Sequence, residues 1–135
     1  GMESVALVDH SGLGDDSRVT AKDMVAALLK VHREGLREIL KPIAMRDAKR
    51  KVITDHPIKV NAKTGTLNFV SGLAGYLTGP DGTEMAFAIF AADESIRATL
   101  TRAERERPPG GVSWNRRAKR MQQQLIERWG VLYGA

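Results

Sequence analysis

Residues 58–92 read IKVNAKTGTLNFVSGLAGYLTGPDGTEMAFAIFAA, and the parsing of this stretch decides the fold. Ile58, Val60 and Ala62 alternate with Lys59, Asn61 and Lys63, the two-residue period of a strand with one side buried and the other turned to solvent or a cleft. Lys63 falls on the open side. Leu67 to Thr78 and Glu84 to Ala92 are apolar on both parities, as inner strands are, and TGPDGT between them supplies Pro80, Asp81 and Gly82 for a tight reversal. Three antiparallel strands are predicted.

Upstream, Ser4 to Val8 is a short apolar segment of strand character, and DHSGLGDDS after it has the Gly and Asp density of a loop. A helix follows, with Thr20 as its cap and Asp23 three residues on. Ala21, Met24, Val25, Leu28 and His32 share one of its faces, and Gly35 offers the stop. Leu36 to Leu40 reads as a further helical turn ended by Pro42, and MRDAKRKVITDHP as a polar connection. Downstream, Glu94 to Ala103 reads as a helix and residues 105–113 as a linker. Ser113 is then the cap of a last helix whose apolar face is Ala118, Met121, Leu125, Trp129 and Leu132. Helix, three strands, helix, helix is the order of an α+β fold, an antiparallel sheet with helices packed on it. Three strands make a small sheet, so partner strands or helices are expected from outside this chain.

A chain of 135 residues, 42% hydrophobic and 27% charged, is of ordinary globular composition. We treat residues 1–135 as one unit. The richest apolar run, Met85 to Ala92, is far short of the eighteen or so residues of a membrane span, so a soluble chain is expected. Gly1 ahead of Met2 looks like a residue left by tag removal, and ESVALVDH has no secretion-signal pattern, so an export signal, if used, is expected upstream. The absence of cysteine rules out disulfides and thiolate metal sites without choosing a compartment. The net charge of +5 is uneven: residues 97–128 hold nine Arg or Lys against three Glu.

The tetrad Lys63-Thr64-Gly65-Thr66 carries the chemistry. Lys63 offers a cation for a carboxylate or a proton shuttle, and Thr64 a hydroxyl for the same carboxylate. Gly65 leaves room for a substrate alongside, and the Thr66 N–H suits a carbonyl oxygen that gains negative charge in acyl transfer. Lys-Thr-Gly alone arises by chance in roughly one chain in thirty of this length, so its context matters.

That context, AKTGTLNFVSGLAGYLTGPDGTEMAFAIF, resembles the corresponding stretch of the class C low-molecular-weight penicillin-binding proteins, the D-alanyl-D-alanine carboxypeptidase and endopeptidase family. DHSGLGDDSRVTAKDMVAALL resembles that family's Asp-Gly-Ser-Gly-Leu-Ser loop and following helix, so the likeness spans roughly residues 5–92. The resemblance implies part of a penicillin-binding-protein and β-lactamase-like transpeptidase fold. It implies a serine enzyme that cleaves peptidoglycan peptides ending in D-Ala-D-Ala through an acyl-enzyme, is inhibited by β-lactams, and works in the periplasm or cell envelope without a cofactor. It assigns Lys63 a catalytic role, Thr64 the substrate carboxylate, Gly65 the space beside it, and Thr66 an oxyanion N–H.

The family's nucleophile is the Ser of Ser-x-x-Lys. Three residues on from Ser4, Ser11, Ser17, Ser71, Ser95 and Ser113 stand Leu7, Gly14, Thr20, Ala74, Ala98 and Arg116, none of them lysine. Ser-Asp-Asn is absent too, and Ser113-Trp114-Asn115 matches only its outline, beyond the sheet. One motif of three points to the C-terminal portion of a larger enzyme, with the rest of the catalytic domain upstream. The alternative is a non-catalytic peptidoglycan-peptide-binding domain of the same fold. His10 and Gly14 depart from the loop motif, and Asp15 stands where the family often has Arg, with Arg18 three residues on as a substitute.

Other polar residues read as structural. Ser11 has no general base at useful spacing, and Asp9, His10, Asp15 and Asp16 lack the alternating oxygen ligands of a calcium loop. His32 and His56 receive no role. The basic run is a footprint shared by nucleic-acid binding, but only Trp114 and Trp129 are aromatic between residues 97 and 130, a poor stacking platform. An anionic cell-wall polymer or membrane surface fits the run as well as nucleic acid does, and nucleic-acid binding ranks last among the functional readings.

Overall fold

The computed structural model describes residues 2–12, 14, 16–101 and 103–134. Gly1, Asp15 and Arg102, read above as a tag residue, a departure from the loop motif and part of the basic run, lie outside the described residues, as does Leu13 of that loop. The helix at the start is α1 (Ala21–Val31), and a 3-10 turn (His32–Glu34) and the short α2 (Leu36–Ile39) follow it. Four strands come next: β1 (Lys41–Pro42), β2 (Lys59–Leu67), β3 (Val70–Thr78) and β4 (Glu84–Ala92). They form one antiparallel sheet in the order β1-β2-β3-β4. The helices α3 (Glu94–Thr99) and α4 (Gly111–Tyr133) complete the α+β fold.

Strand alternation sends the side chains of this sheet to two layers. Val60, Ala62, Leu73, Leu77, Phe87 and Ile89 share one face and pack with Met45, Ile58 and Ile126 of α4 into the main core. Tyr76 lies on the opposite face, where its hydroxyl donates to the Leu28 carbonyl at 2.6 Å and so ties α1 to β3. Burial raises the Tyr76 phenol above its ordinary pKa, with the Arg37 charge opposing. Arg37 joins α2 to the sheet rim, donating to Thr78 Oγ1 at 2.6 Å and pairing with Glu84.

The start of α1 is as its sequence predicts. Thr20 accepts from the Asp23 N–H at 3.0 Å, and Gly35 closes the following turn in the left-handed region at φ 77°. Asp23 does more than cap. Its buried carboxylate accepts from the Ser4 hydroxyl at 2.6 Å, the Glu3 N–H at 3.2 Å and the Thr20 hydroxyl at 3.0 Å, holding the N-terminal segment on the helix. These hydrogen bonds, the Ser4 contact foremost, lower the Asp23 pKa from its ordinary 3.8. The unfolded chain therefore binds the extra proton first, and the stabilisation is complete above about pH 4 and lost as pH falls through the lowered value. Asp23→Asn is expected to lower the urea midpoint at pH 7 and to flatten the acid limb of stability against pH; an unchanged acid limb would remove Asp23 as its source.

Several boundaries differ from those predicted. Ser4 to Val8 makes only an isolated bridge, Ala6 to Arg18, and joins none of the four strands of the sheet. Lys41–Pro42 adds a fourth strand, where the missing N–H of proline is harmless at an edge. The segment from Leu67 is not continuous strand: β2 runs to Leu67, and Asn68-Phe69 turns the chain into β3. Phe69 sits at φ 60°, an uncommon region for an aromatic residue. Burial of its ring, 6.1 Å from that of Trp114, and a hydrogen bond from Asp93 N to its carbonyl offset that strain. The helix from Glu94 ends at Thr99.

Helix α4 starts three residues earlier than predicted, after Gly110 in the left-handed region, and the Ser113 hydroxyl donates back to the Gly110 carbonyl at 2.9 Å from inside the helix. Its buried stripe is Ala118, Gln122, Ile126 and Gly130. Leu125 and Trp129 are partly buried against the core, but Met121 and Leu132 of the expected face are 39% and 55% exposed. The stripe is small and polar because the sheet comes close: a Cβ at Gly130 would drive into Ile58, and Gln122 donates to the Ser71 carbonyl and hydroxyl at 3.2 and 3.1 Å.

Candidate functional site

The backbone of β2 explains why Lys63 to Thr66 are accessible. Val60 accepts from Ile43 N at 2.9 Å on the β1 side, so strand parity turns the N–H and C=O of Val60, Ala62, Thr64 and Thr66 to that outer edge. β1 covers only Asn61 and Ala62. Among the described residues no strand pairs with the outer edge from Lys63 onward, and Lys63, Thr64, Gly65 and Thr66 are all exposed. The strand period expects Lys63 on a side turned to solvent or a cleft; the open edge itself comes from a two-residue β1, which the predicted strand order does not contain.

The side chains of the tetrad divide between the two faces. Thr64 and Thr66 share the parity of the main core and line a cleft of about 600 Å³ between the sheet, α4 and residues 43–53. Lys63 and Gly65 belong to the other face. Lys63 returns to the edge, its Nζ donating to the outward carbonyl of Thr64 at 2.7 Å. Gly65 pairs with Gly72, and a Cβ at Gly65 would meet nothing within 4 Å. Two adjacent glycines leave bare backbone beside the lysine, with the half-exposed Phe90 at its border. The arrangement offers an ammonium, outward N–H groups and an unobstructed approach, the requirements for an extended chain with a terminal carboxylate.

What holds this edge in place lies largely beyond it. Asn115 Nδ2 donates to the Leu67 carbonyl at 2.9 Å, and Arg97 Nη1 to the Asn68 carbonyl at 2.9 Å. Asn68 Nδ2 reaches the Arg105 and Glu106 carbonyls at 2.5 and 3.2 Å. Residues 105–106 are therefore fastened to the β2–β3 turn. Asn115, set aside in the sequence as part of a chance Ser-Trp-Asn, positions the residue that follows the tetrad; only an Asn two residues inside a helix after Pro-Pro-Gly-Gly hinted at it.

Each serine hydroxyl of the described residues has a hydrogen-bond partner. Ser4 donates to Asp23, Ser11 to Asp9, Ser95 to Asp93 and Ser113 to Gly110, while Ser17 accepts from Val8 N and buried Ser71 from Gln122. Asp9 also accepts from the Ser11 and Gly12 N–H groups, a turn role that lowers its pKa, chiefly through the Ser11 hydroxyl. Among the described residues no three His, Asp or Glu side chains converge as a metal site. His32 pairs with Glu84 at 3.3 Å, and His56 Nδ1 accepts from Ile58 N at 3.2 Å.

The model of a known family, the D-Ala-D-Ala carboxypeptidase 3 (S13) family, matches residues 1–108, from the N-terminal segment through the sheet to the turns before α4. No curated protein and no solved structure matches the chain.

Proposed function

Because the chain belongs to the D-Ala-D-Ala carboxypeptidase 3 (S13) family, we propose that it is the C-terminal, substrate-clamping portion of a serine carboxypeptidase and endopeptidase that acts on peptidoglycan peptides ending in D-Ala-D-Ala. The open β2 edge, with Lys63 Nζ folded onto it, carries this proposal. The terminal carboxylate displaces the Thr64 carbonyl from Lys63 and takes a second hydrogen bond from Thr64. The reacting carbonyl lies at the outward N–H of Thr66, which stabilises its developing negative charge. An upstream serine, its proton taken by a lysine three residues on, adds to that carbonyl. The C–N bond breaks, D-alanine leaves as the protonated amine, and water hydrolyses the ester. Penicillin is the inhibitor that stops at the ester, and the cell envelope is the compartment where this substrate is found.

Labelling the native gene product with penicillin and mapping the modified peptide by mass spectrometry tests the assignment. The expected adduct is on a serine upstream of Met2 that is followed three residues later by lysine. A native product that begins at Met2 and takes no label overturns the enzyme. The missing Ser-x-x-Lys favours, as second reading, a non-catalytic domain in which the same edge only holds a D-alanyl carboxylate; saturable binding of an acyl-D-Ala-D-Ala peptide by an unlabelled native product would select it.

A further inference from the structure

The cleft on the α4 side of β2 has its own electrostatics. Arg46 and Arg50 from the loop face Arg116, Arg117, Lys119 and Arg120 from the first half of α4, against Asp47 and Glu127 as the only carboxylates of the lining. The six cations are exposed, and the ion pairs His32–Glu84 and Arg37–Glu84 both lie elsewhere. The placement is costly to the helix. The first turn of α4 has no acidic residue, its N-terminal half has the positive end of the dipole, and Arg116 and Arg120 are like charges one turn apart. Of the same basic run, Arg97 donates to the Asn68 carbonyl at the β2–β3 turn, and the Arg105 backbone carbonyl accepts from Asn68 there. The sequence-wide surplus is therefore not a diffuse solvated face: part of it is gathered on two walls of one groove.

We propose that this groove binds a phosphodiester polymer without bases, such as a poly(glycerol phosphate) chain. Five of the six cations are Arg, whose fork matches phosphate oxygens two at a time. The groove has no aromatic side chain to stack a base, since Trp114 and Trp129 lie against Phe69 and Phe87. Its walls are concave and charged, which suits a flexible strand better than a flat bilayer. Lys63 is on the other face, whereas Thr64 and Thr66 of the proposed clamp line this same cleft; the inference rests on Arg46, Arg50 and the cations of α4, to which the peptidase chemistry assigns no role.

Soluble, end-labelled poly(glycerol phosphate), titrated with this chain by fluorescence anisotropy, is the test. Saturable binding is expected, falling on the order of 50-fold between about 50 and about 200 mM salt for four neutralised phosphates. Arg116→Glu with Arg120→Glu should weaken it by at least about 10-fold and reduce the salt slope by about two. Lys22→Glu with Arg33→Glu changes net charge equally on the α1 side and should stay within about 2-fold of the unaltered chain; thermal melting confirms that both variants fold. Equal loss in the two double variants overturns the groove. Tighter binding of oligouridylate would assign it to nucleic acid, and binding only to phosphatidylglycerol vesicles to a membrane; either overturns the proposal, as does no binding at all.

Discussion

Lys63→Ala in the complete enzyme is expected to slow acylation by penicillin by about 30- to 150-fold, the loss of a charge-assisted hydrogen bond worth about 2–3 kcal/mol. Stability should barely move, within about 0.5 kcal/mol, because Lys63 is exposed and, among the described residues, its Nζ bonds to the Thr64 carbonyl next to it. Lys63→Arg retains the cation on a longer fork and should lose less. The second-order rate of labelling and the urea midpoint, measured on the same preparations, separate the two effects. Unchanged labelling in Lys63→Ala would remove the residue from the machinery. A parallel fall in stability would make its role structural.

The largest effect on folding is expected at Gly75. This residue lies opposite Ala62 in the β2–β3 register, and a Cβ there would stand 2.6 Å from Ala62 Cα and 2.8 Å from its Cβ, with the Asn61 carbonyl closer still. Those neighbours are mostly backbone, so relief requires β2 to lift away from β3. Gly75→Val should cost about 3 kcal/mol or more, at the upper end of overpacking penalties. It should also slow labelling, since Lys63 is the next residue after Ala62. Gly65→Ala is the contrast: with nothing within 4 Å of the added methyl, stability should hold within about 0.5 kcal/mol, and any loss of labelling reports on the substrate's path. Equal urea midpoints for Gly75→Val and the unaltered protein would contradict the close β2–β3 approach.

The contrast between these two glycines shows what a sequence can convey. Residue type alone marks Lys63 to Thr66, because the chemistry of a carboxylate clamp needs those groups, and strand period places Lys63 on an open side. The TGPDGT reversal and the Thr20 cap are equally legible, since each is a local contest between side chain and backbone that nearby residues decide. The β2–β3 turn is not. Leu67, Phe69 and Val70 look like uninterrupted strand, and Phe69 adopts its left-handed backbone only because distant Trp114 and Asp93 hold it. Helix α4 fails to read for a similar reason. Apolar periodicity selects Met121 and Leu132, whereas the sheet's proximity selects Gly130 and Gln122, which have low hydrophobicity and high fit. The gathering of Arg46 and Arg50 with the α4 cations joins segments some seventy residues apart, which no local pattern encodes.

The brevity of β1 has a further consequence. A strand that stops after two residues leaves the rest of β2 as a template for any extended chain, and another molecule's edge is such a chain. Self-assembly into continuous sheet is the hazard that accompanies an edge kept open for a peptide. Lys63 restrains it: its charge has to be desolvated, and set near the same charge of a second copy, before two such edges can zip together. One ammonium group thus serves both solubility and recognition, and its removal would endanger the protein's colloidal stability at high concentration even where its fold survives.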